Sequence, residues 1–220
     1  MILAAGRGER LRPLTDAMPK AMVQAGGKPL IAWHLERLAA RGCREAVVNV
    51  SHLGERIVEA IGDGARYGMR IAYSREPEPL ETAGGIAQAL ALLGQAPFLL
   101  VNADVYCEVD FARLLAFPLR ARLAHLVLVP NPPHRAGGDF SLEDGMVGNA
   151  SGPRYTYAGI AVMSPELVAG VRPGEKAPLA PLLRSAAERR LLGGELYRGT
   201  WQDVGTRERL AELEAHLSSR

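Results

Sequence analysis

The sequence predicts an α/β chain: a mixed, mostly parallel sheet flanked by helices, with a smaller antiparallel region behind it. Three observations predict it. Through the first half of the 220 residues, short apolar runs alternate with helix-length amphipathic segments, the rhythm of parallel strands joined by crossover helices. After the breaker-rich stretch Pro130–Gly138, residues 139–163 alternate around Gly145 and Gly152 as antiparallel strands do. Hydrophobic residues at 48% and charged residues at 23% supply a buried core, which excludes global disorder, collagen-like repeats and a disulfide-dense scaffold.

Taken in order, residues 1–5 read as a short buried strand, followed by a polar, Gly- and Arg-rich segment from Gly6 to Lys20. A helix is expected from about Pro29, which suits a first turn, to Gly42, which suits the C′ position; Ile31, Leu35 and Leu38 form its apolar stripe. Val47–Val50 is a second buried strand, Leu53–Ile61 a helix and Met69–Tyr73 a third strand. A long acidic loop leads to a helix opened by Gly84 and Gly85 and ended at Gly94. Phe98–Asn102 is the clearest strand, Asp110 is placed to cap a helix Phe111–Leu115, and His125–Val129 makes another strand. Pro178–Arg190 is helical, and Thr206 can cap a final helix ending near Leu217. The expectation is one domain, with residues 1–137 as a front half and residues 138–220 as a back half sharing one sheet.

The 26 basic and 24 acidic residues give a net charge of only +2 and are interspersed, so nucleic acid is not favoured as a partner. Cys43 and Cys107 stand alone, without CxxC or Cys/His metal spacing, as thiols of a reducing cytosol do. No basic leader precedes the first strand and no run approaches the ~18–20 apolar residues of a span, so a cytoplasmic chain with no membrane partner is expected. All basic residues other than Lys20, Lys28 and Lys176 are arginine, which makes each retained lysine worth following.

Leu3-Ala4-Ala5-Gly6-Arg7-Gly8-Glu9-Arg10-Leu11 places a turn of small residues directly after a strand, where backbone N–H groups approach polyphosphate without Cβ obstruction. A P-loop would need Gly-Lys-Ser/Thr, and a dinucleotide fingerprint a third glycine opening a helix, which Pro13 interrupts. Gly6 and Gly8 alone are equally a tight turn; Arg10 and Lys20 tip the balance, offering a forked partner and a point charge to phosphate oxygens. Asp104 stands just past the strongest strand, where open α/β sheets bind ligands, and Asp203 on a short segment before a helix. Either acid alone reads as a turn or cap residue. With a phosphate loop the two describe a Mg²⁺ site, since this ion takes few protein carboxylates and fills its octahedron with water and substrate phosphates.

These residues carry a family resemblance. Leu3 to Thr15 resembles the L-x-x-G-x-G-x-R-[LM]-x-P-L-T signature of the sugar nucleotidyltransferases, with Pro19-Lys20 following. Asn102-Ala103-Asp104 is similar to that family's first metal segment and Trp201-Gln202-Asp203-Val204-Gly205-Thr206 to its second. Three residues depart from the pattern: Ala103 replaces a usual glycine, Ala21 a proline, and Gln24 stands where a further proline is common. Glu78–Gly85, His125–Val129, Asn131-Pro132 and Gly138-Asp139-Phe140 resemble the branch that uridylylates N-acetylmuramate α-1-phosphate in bacterial cell-wall recycling. Mannose 1-phosphate guanylyltransferases and other small sugar 1-phosphate nucleotidyltransferases are the alternative. A regulatory subunit that binds nucleotide sugars without turnover would be expected to have lost Arg10, Lys20, Asp104 or Asp203, all present here.

The resemblance implies a Rossmann-like nucleotidyltransferase fold, with UTP and a sugar 1-phosphate as small-molecule partners and Mg²⁺ as cofactor. It implies nucleotide binding by Ala5, Gly6, Gly8, Glu9, Arg10, Lys20, Glu81 and Thr82, with Arg10 and Lys20 catalytic. Asp104 and Asp203 would hold the metal, and Asn102 and Asp139 would lie on the sugar-phosphate side. Asn102 reads equally as a strand-end residue and Asp139 as a cap after two glycines.

Overall fold

The computed structural model describes residues 1–150 and 152–219; residue 151, within the stretch expected to alternate, and residue 220 lie outside the described residues. The chain enters on β1 (Ile2–Leu3), paired in parallel on both sides. A polar loop with the one-turn helix α1 (Leu14–Ala17) leads to a small hairpin of β2 (Gln24–Ala25) and β3 (Lys28–Pro29). Helix α2 (Leu30–Ala40) buries Ile31, Leu35 and Leu38, and the chain turns out of it at Gly42, whose φ of 85° favours glycine. β4 (Glu45–Val50), α3 (Gly54–Ile61), β5 (Arg70–Arg75), α4 (Glu81–Leu93) and β6 (Phe98–Asn102) follow.

β5, β4, β1 and β6 lie side by side, all parallel. The chain leaves β1 for β4 on one side and returns to β6 on the other. That reversal opens a crevice at the carboxyl ends of β1 and β6, the place where open α/β sheets take ligands.

The chain continues through β7 (Val105–Cys107), α5 (Phe111–Leu115), β8 (Ala124–Val129), β9 (Phe140–Glu143), β10 (Met146–Gly148) and β11 (Arg154–Met163). It ends with α6 (Leu179–Glu188), β12 (Leu192–Leu196), β13 (Trp201–Asp203) and α7 (Arg207–Ser218). β11 runs antiparallel between β6 and β8, and the nine-stranded sheet is completed in the order β5-β4-β1-β6-β11-β8-β12-β10-β9. Strands of both halves of the sequence therefore share one sheet. Val101 and Leu100 of β6 belong to different apolar clusters, one with Ile31, Val48 and Ile160, the other with Ile86, Leu126 and Met163. Successive residues of a strand face opposite sides, so the two clusters are the two covered faces.

Asp110 caps α5 as expected, its Oδ1 accepting from Ala112 N at 3.1 Å, and Thr206 Oγ1 accepts from Arg209 N at 3.4 Å ahead of α7. Helix α4 starts at Glu81 rather than Gly84, because its first amides are satisfied from outside the helix. Ala177 O accepts from Ala83 N and Gly84 N at 3.0 and 3.1 Å. β12 carries no strand signal, since Gly193-Gly194 reads as a breaker. In the sheet the tighter of the two is Gly194, where a Cβ would collide with Val147 Cγ2 and lie 3.1 Å from Leu126 O, while one on Gly193 would press on the Arg122 side chain. Among the described residues no helix is long and apolar enough to cross a membrane.

Candidate functional site

The crevice is built first from the turn after β1. Gly8 has φ 66°, and a Cβ there would lie 2.9 Å from Thr15 Cγ2 and 3.0 Å from Lys20 Cβ. Thr15 Oγ1 and Leu11 N both donate to Gly8 O at 2.8 Å, closing the loop. Behind it runs a buried relay. Ala4 N donates to Asn49 Oδ1 at 2.8 Å, Asn49 Nδ2 to Glu76 Oε1 at 2.6 Å, and Leu80 N to Glu76 Oε2 at 3.0 Å. It ties β1, β4 and the start of α4 together, and a Cβ on Gly85 would intrude 2.6 Å from Glu76 Oε1. Asn49 and Glu76 are positioning residues that sequence reasoning missed. The available signal was a lone asparagine in the apolar run Val47–Val50, which needs a buried partner.

Relay and loop line one cleft with Glu81, a non-glycine residue held at φ 59°. Such a conformation costs on the order of 1–3 kcal/mol and persists where the surroundings over-determine it.

Asp104 follows the end of β6, where its Oδ2 accepts from Lys20 Nζ in a largely enclosed ion pair. β7 then pairs antiparallel with β13, setting Asp203 opposite Val105, and Val204 N donates to Asp104 O at 2.7 Å. This two-stranded ribbon brings residues a hundred positions apart to one cavity. Asp203 Oδ2 is paired with Arg209, whose side chain is only 10% exposed. His134 Nε2 lies 3.1 Å from Asp203 Oδ1 and 2.7 Å from Arg209 Nη1. A guanidinium only donates, so Nε2 is the acceptor there and gives Oδ1 no proton. Oδ1 is left buried without a hydrogen-bond partner among the described residues. Gly205 makes room for two cations, since a Cβ on it would collide with Arg209 and lie 3.0 Å from Arg10 Nη2. Arg209 was missed in the sequence, where it looks like any exposed helix arginine.

The second wall comes from β11, whose register with β8 shifts between Tyr157 and Ala161. In that bulge Gly159 has φ 72° and its missing Cβ admits Asn102, while Trp201 Nε1 donates to Ala158 O at 3.0 Å. Asp139 Oδ2 accepts from Arg135 Nη1 at 3.0 Å and Tyr157 N at 2.9 Å, and Arg154 donates to its backbone carbonyl. Tyr157 Oη is buried without a hydrogen-bond partner among the described residues, and burial pushes its pKa up. His34, inside α2, is held neutral by burial, with its pKa down at about 4.

Three cavities that share Glu81 collect every nucleotide, sugar-phosphate and metal residue expected from the sequence. The inner cleft is lined by Ala5, Gly6, Gly8, Lys20, Glu81, Thr82, Asn102 and Asp104. A mouth of about 870 Å³ is lined by Gly6, Gly8, Glu9, Arg10, Lys20 and Glu81, together with Arg7 and Lys176. A cavity of about 480 Å³ is lined by Arg10, Glu81, Thr82, Asn102, Asp104, Asp139 and Asp203, with Arg135 and Arg184. A glycine turn, cations and two carboxylates around connected cavities are the equipment for handling phosphate groups on two ligands.

Residues 1–138 match the nucleotidyl transferase family model. The N-acetylmuramate alpha-1-phosphate uridylyltransferase of Neisseria meningitidis serogroup B is 50% identical, the alignment covering 98% of this chain and 96% of that protein. The like-named protein of Caulobacter vibrioides is 34% identical, over 99% of this chain and 96% of its own. The fold is also similar to that of a Bacillus anthracis protein assigned as a glucose-1-phosphate thymidylyltransferase and crystallised with a sucrose. Its TM-score is 0.87 at 18% identity, over 100% of this chain and 94% of that one. The glycine turn after β1, the parallel front sheet and the near full-length likeness to these relatives agree, and the chain belongs to the nucleotidyl transferase family.

Proposed function

We propose that this chain transfers the uridylyl group of UTP to N-acetylmuramate α-1-phosphate, forming UDP-N-acetylmuramate and pyrophosphate in the cytoplasm. One observation carries the reading: the ribbon of β7 and β13 sets Asp203 into the cavity that Asp104 lines, beside the Gly6–Arg10 turn. The names of the relatives at 50% and 34% identity support the choice of base and sugar.

The family generally works with a divalent metal, and we assign Mg²⁺. The residues fit it: two carboxylates on one cavity, one of them with a buried oxygen lacking a hydrogen-bond partner. With two protein carboxylates, phosphate oxygens and water would complete the shell. Asp104 and Asp203 would hold the ion, which when bound neutralises phosphate charge shared by the two substrates.

The chain's own groups do the rest. The sugar phosphate has a second pKa near ~6 and is already largely dianionic at neutral pH, so no general base is needed. The obstacle is repulsion between two anions. Backbone N–H groups of the Gly6–Gly8 turn hold the triphosphate, Lys20 meets charge developing at the α-phosphate, and Arg10 stabilises the departing pyrophosphate. Ala5 and Glu9 flank that turn, and Glu81 and Thr82 face base and ribose. On this reading residues 1–137 form the nucleotide half and residues 138–220 supply most of the sugar side. Asn102 and Asp139 take the sugar. Arg184 has no carboxylate partner among the described residues, which suits it to the lactyl carboxylate that distinguishes muramic acid.

Pyrophosphate release from a panel of nucleoside triphosphates and sugar 1-phosphates tests the reading. UTP with N-acetylmuramate 1-phosphate and Mg²⁺ should be the best combination. Far faster turnover of GTP with mannose 1-phosphate would replace it with the guanylyltransferase reading.

A further inference from the structure

Of the three lysines in this arginine-rich chain, two have structural partners. Lys20 pairs with Asp104, while Lys28 pairs with Glu36 and lies 3.7 Å from the Trp33 ring centroid. Lys176 has no ion pair or hydrogen bond for its ammonium among the described residues, yet it lines the mouth formed by Arg7, Arg10 and Lys20. Glu78 and Glu81 line that mouth too, but neither forms an ion pair with Lys176, and the adjacent Glu175 is bound to Arg172 at 3.2 Å.

The root of this free cation is fixed. Ala177 N donates to Leu80 O at 3.0 Å, and Ala177 O accepts from Ala83 and Gly84, so the backbone beside Lys176 is clamped onto the start of α4. Gly84 permits the clamp, because a Cβ there would collide with Glu175 O. The segment continues directly into Pro178, Leu179 and Ala180, which line the neighbouring cavity with Asp104 and Asp203. The clamped backbone fixes where this exposed side chain starts, so an arriving anion has only the flexible lysine stem to order, not the segment that carries it.

We propose that Lys176 binds the polyphosphate, closing over the β- and γ-phosphates from the back half of the chain opposite the Gly6–Arg10 turn. The inference rests on the nucleotidyl-transfer reading and adds a residue to it. Lysine suits the place as a point charge that follows phosphate oxygens from triphosphate to released pyrophosphate. Its location in the mouth that holds the glycine turn argues for the leaving end of the nucleotide rather than for the sugar phosphate.

Calorimetric titration of the full chain with UTP, inorganic pyrophosphate and N-acetylmuramate 1-phosphate, each with Mg²⁺, tests it on wild type, Lys176→Ala and Lys176→Arg. The expected result is about tenfold weaker binding of UTP and pyrophosphate to Lys176→Ala, substantial recovery in Lys176→Arg, and sugar 1-phosphate affinity within about twofold. Unchanged pyrophosphate affinity in Lys176→Ala overturns the proposal, and equal loss of all three ligands overturns it in favour of a structural role. A wild type that binds neither UTP nor pyrophosphate overturns the functional reading itself.

Discussion

The proposed phosphate mouth and the proposed sugar-side wall share Glu81 but are finished in different ways. In the mouth, Arg7, Arg10 and Lys176 are left without ion pairs among the described residues, although the turn beneath them is braced by Thr15 Oγ1 and Leu11 N on Gly8 O. On the wall, Asp139 is already held by Arg135 and Tyr157 N, with Arg154 on its carbonyl. On the proposed reading the mouth keeps its cations open for a polyanion, whereas the wall holds Asp139 internally and keeps Arg184 without a carboxylate partner among the described residues. Between the two stand Asp104 and Asp203, each tied to one cation, Lys20 or Arg209.

Removing charge between the two regions should have the largest effect. Asp104→Asn and Asp203→Asn are each expected to lower turnover by about 10²-fold or more. Each also leaves a nearly enclosed cation without its counter-charge, so the melting temperature should fall modestly, by about 2–4 °C for each kcal/mol lost. Near-normal turnover in either variant, with melting as the control, would leave that acid a purely structural part.

Next come the cations of the mouth. Lys20→Ala and Arg10→Ala should lower kcat more than they raise KM for UTP, because phosphate charge shifts most fully in the transition state. A pure KM effect would make both residues docking groups and erase the contrast with Lys176, for which weaker binding is the expectation.

The contrast explains what could be read from the sequence. β6 and the helix capped by Asp110 were legible to the residue because apolar strand runs and Asx caps are local signals. The glycine turn, Arg10, Lys20, Asp104 and Asp203 were picked out by type and spacing, and the fold brings them to cavities that share Glu81. β12 was not legible, since its two glycines answer to Arg122 and Val147, residues distant in sequence. Nor was the start of α4, whose cap is the backbone of Ala177. Asn49, Glu76 and Arg209 share that character: their meaning lies in partners that only the folded chain supplies.

On the wall the expected effects are smaller. Asp139→Ala should weaken N-acetylmuramate 1-phosphate binding by about 1–3 kcal/mol and leave UTP within about a factor of two. Loss of both ligands alike would mark Asp139 as only a brace for Arg135 and Tyr157. Arg184→Ala should cut the preference for N-acetylmuramate over N-acetylglucosamine 1-phosphate by about tenfold, and an unchanged preference would remove Arg184 from lactyl recognition.

The smallest effect concerns stability in acid. Burial raises the pKa of Glu195, but hydrogen bonds from His125 and Arg113 outweigh it and hold the pKa down at about 2. A folded value below the unfolded one means a stabilising contribution present above about 4.5 and lost as pH falls toward 2. Urea midpoints measured across that range should therefore fall less steeply for Glu195→Gln than for the parent chain. Parallel curves would show that the pair contributes nothing to the acid limb.

The central claim is that Asp104 and Asp203, a hundred residues apart, act on the phosphates as one unit. Turnover of UTP and N-acetylmuramate 1-phosphate by Asp104→Asn, Asp203→Asn and the double variant tests it most directly. If the two acids share one function, the double variant should fall within about threefold of the worse single variant. Losses that multiply, with each acid lowering the rate by its full factor whether or not the other is present, would contradict it.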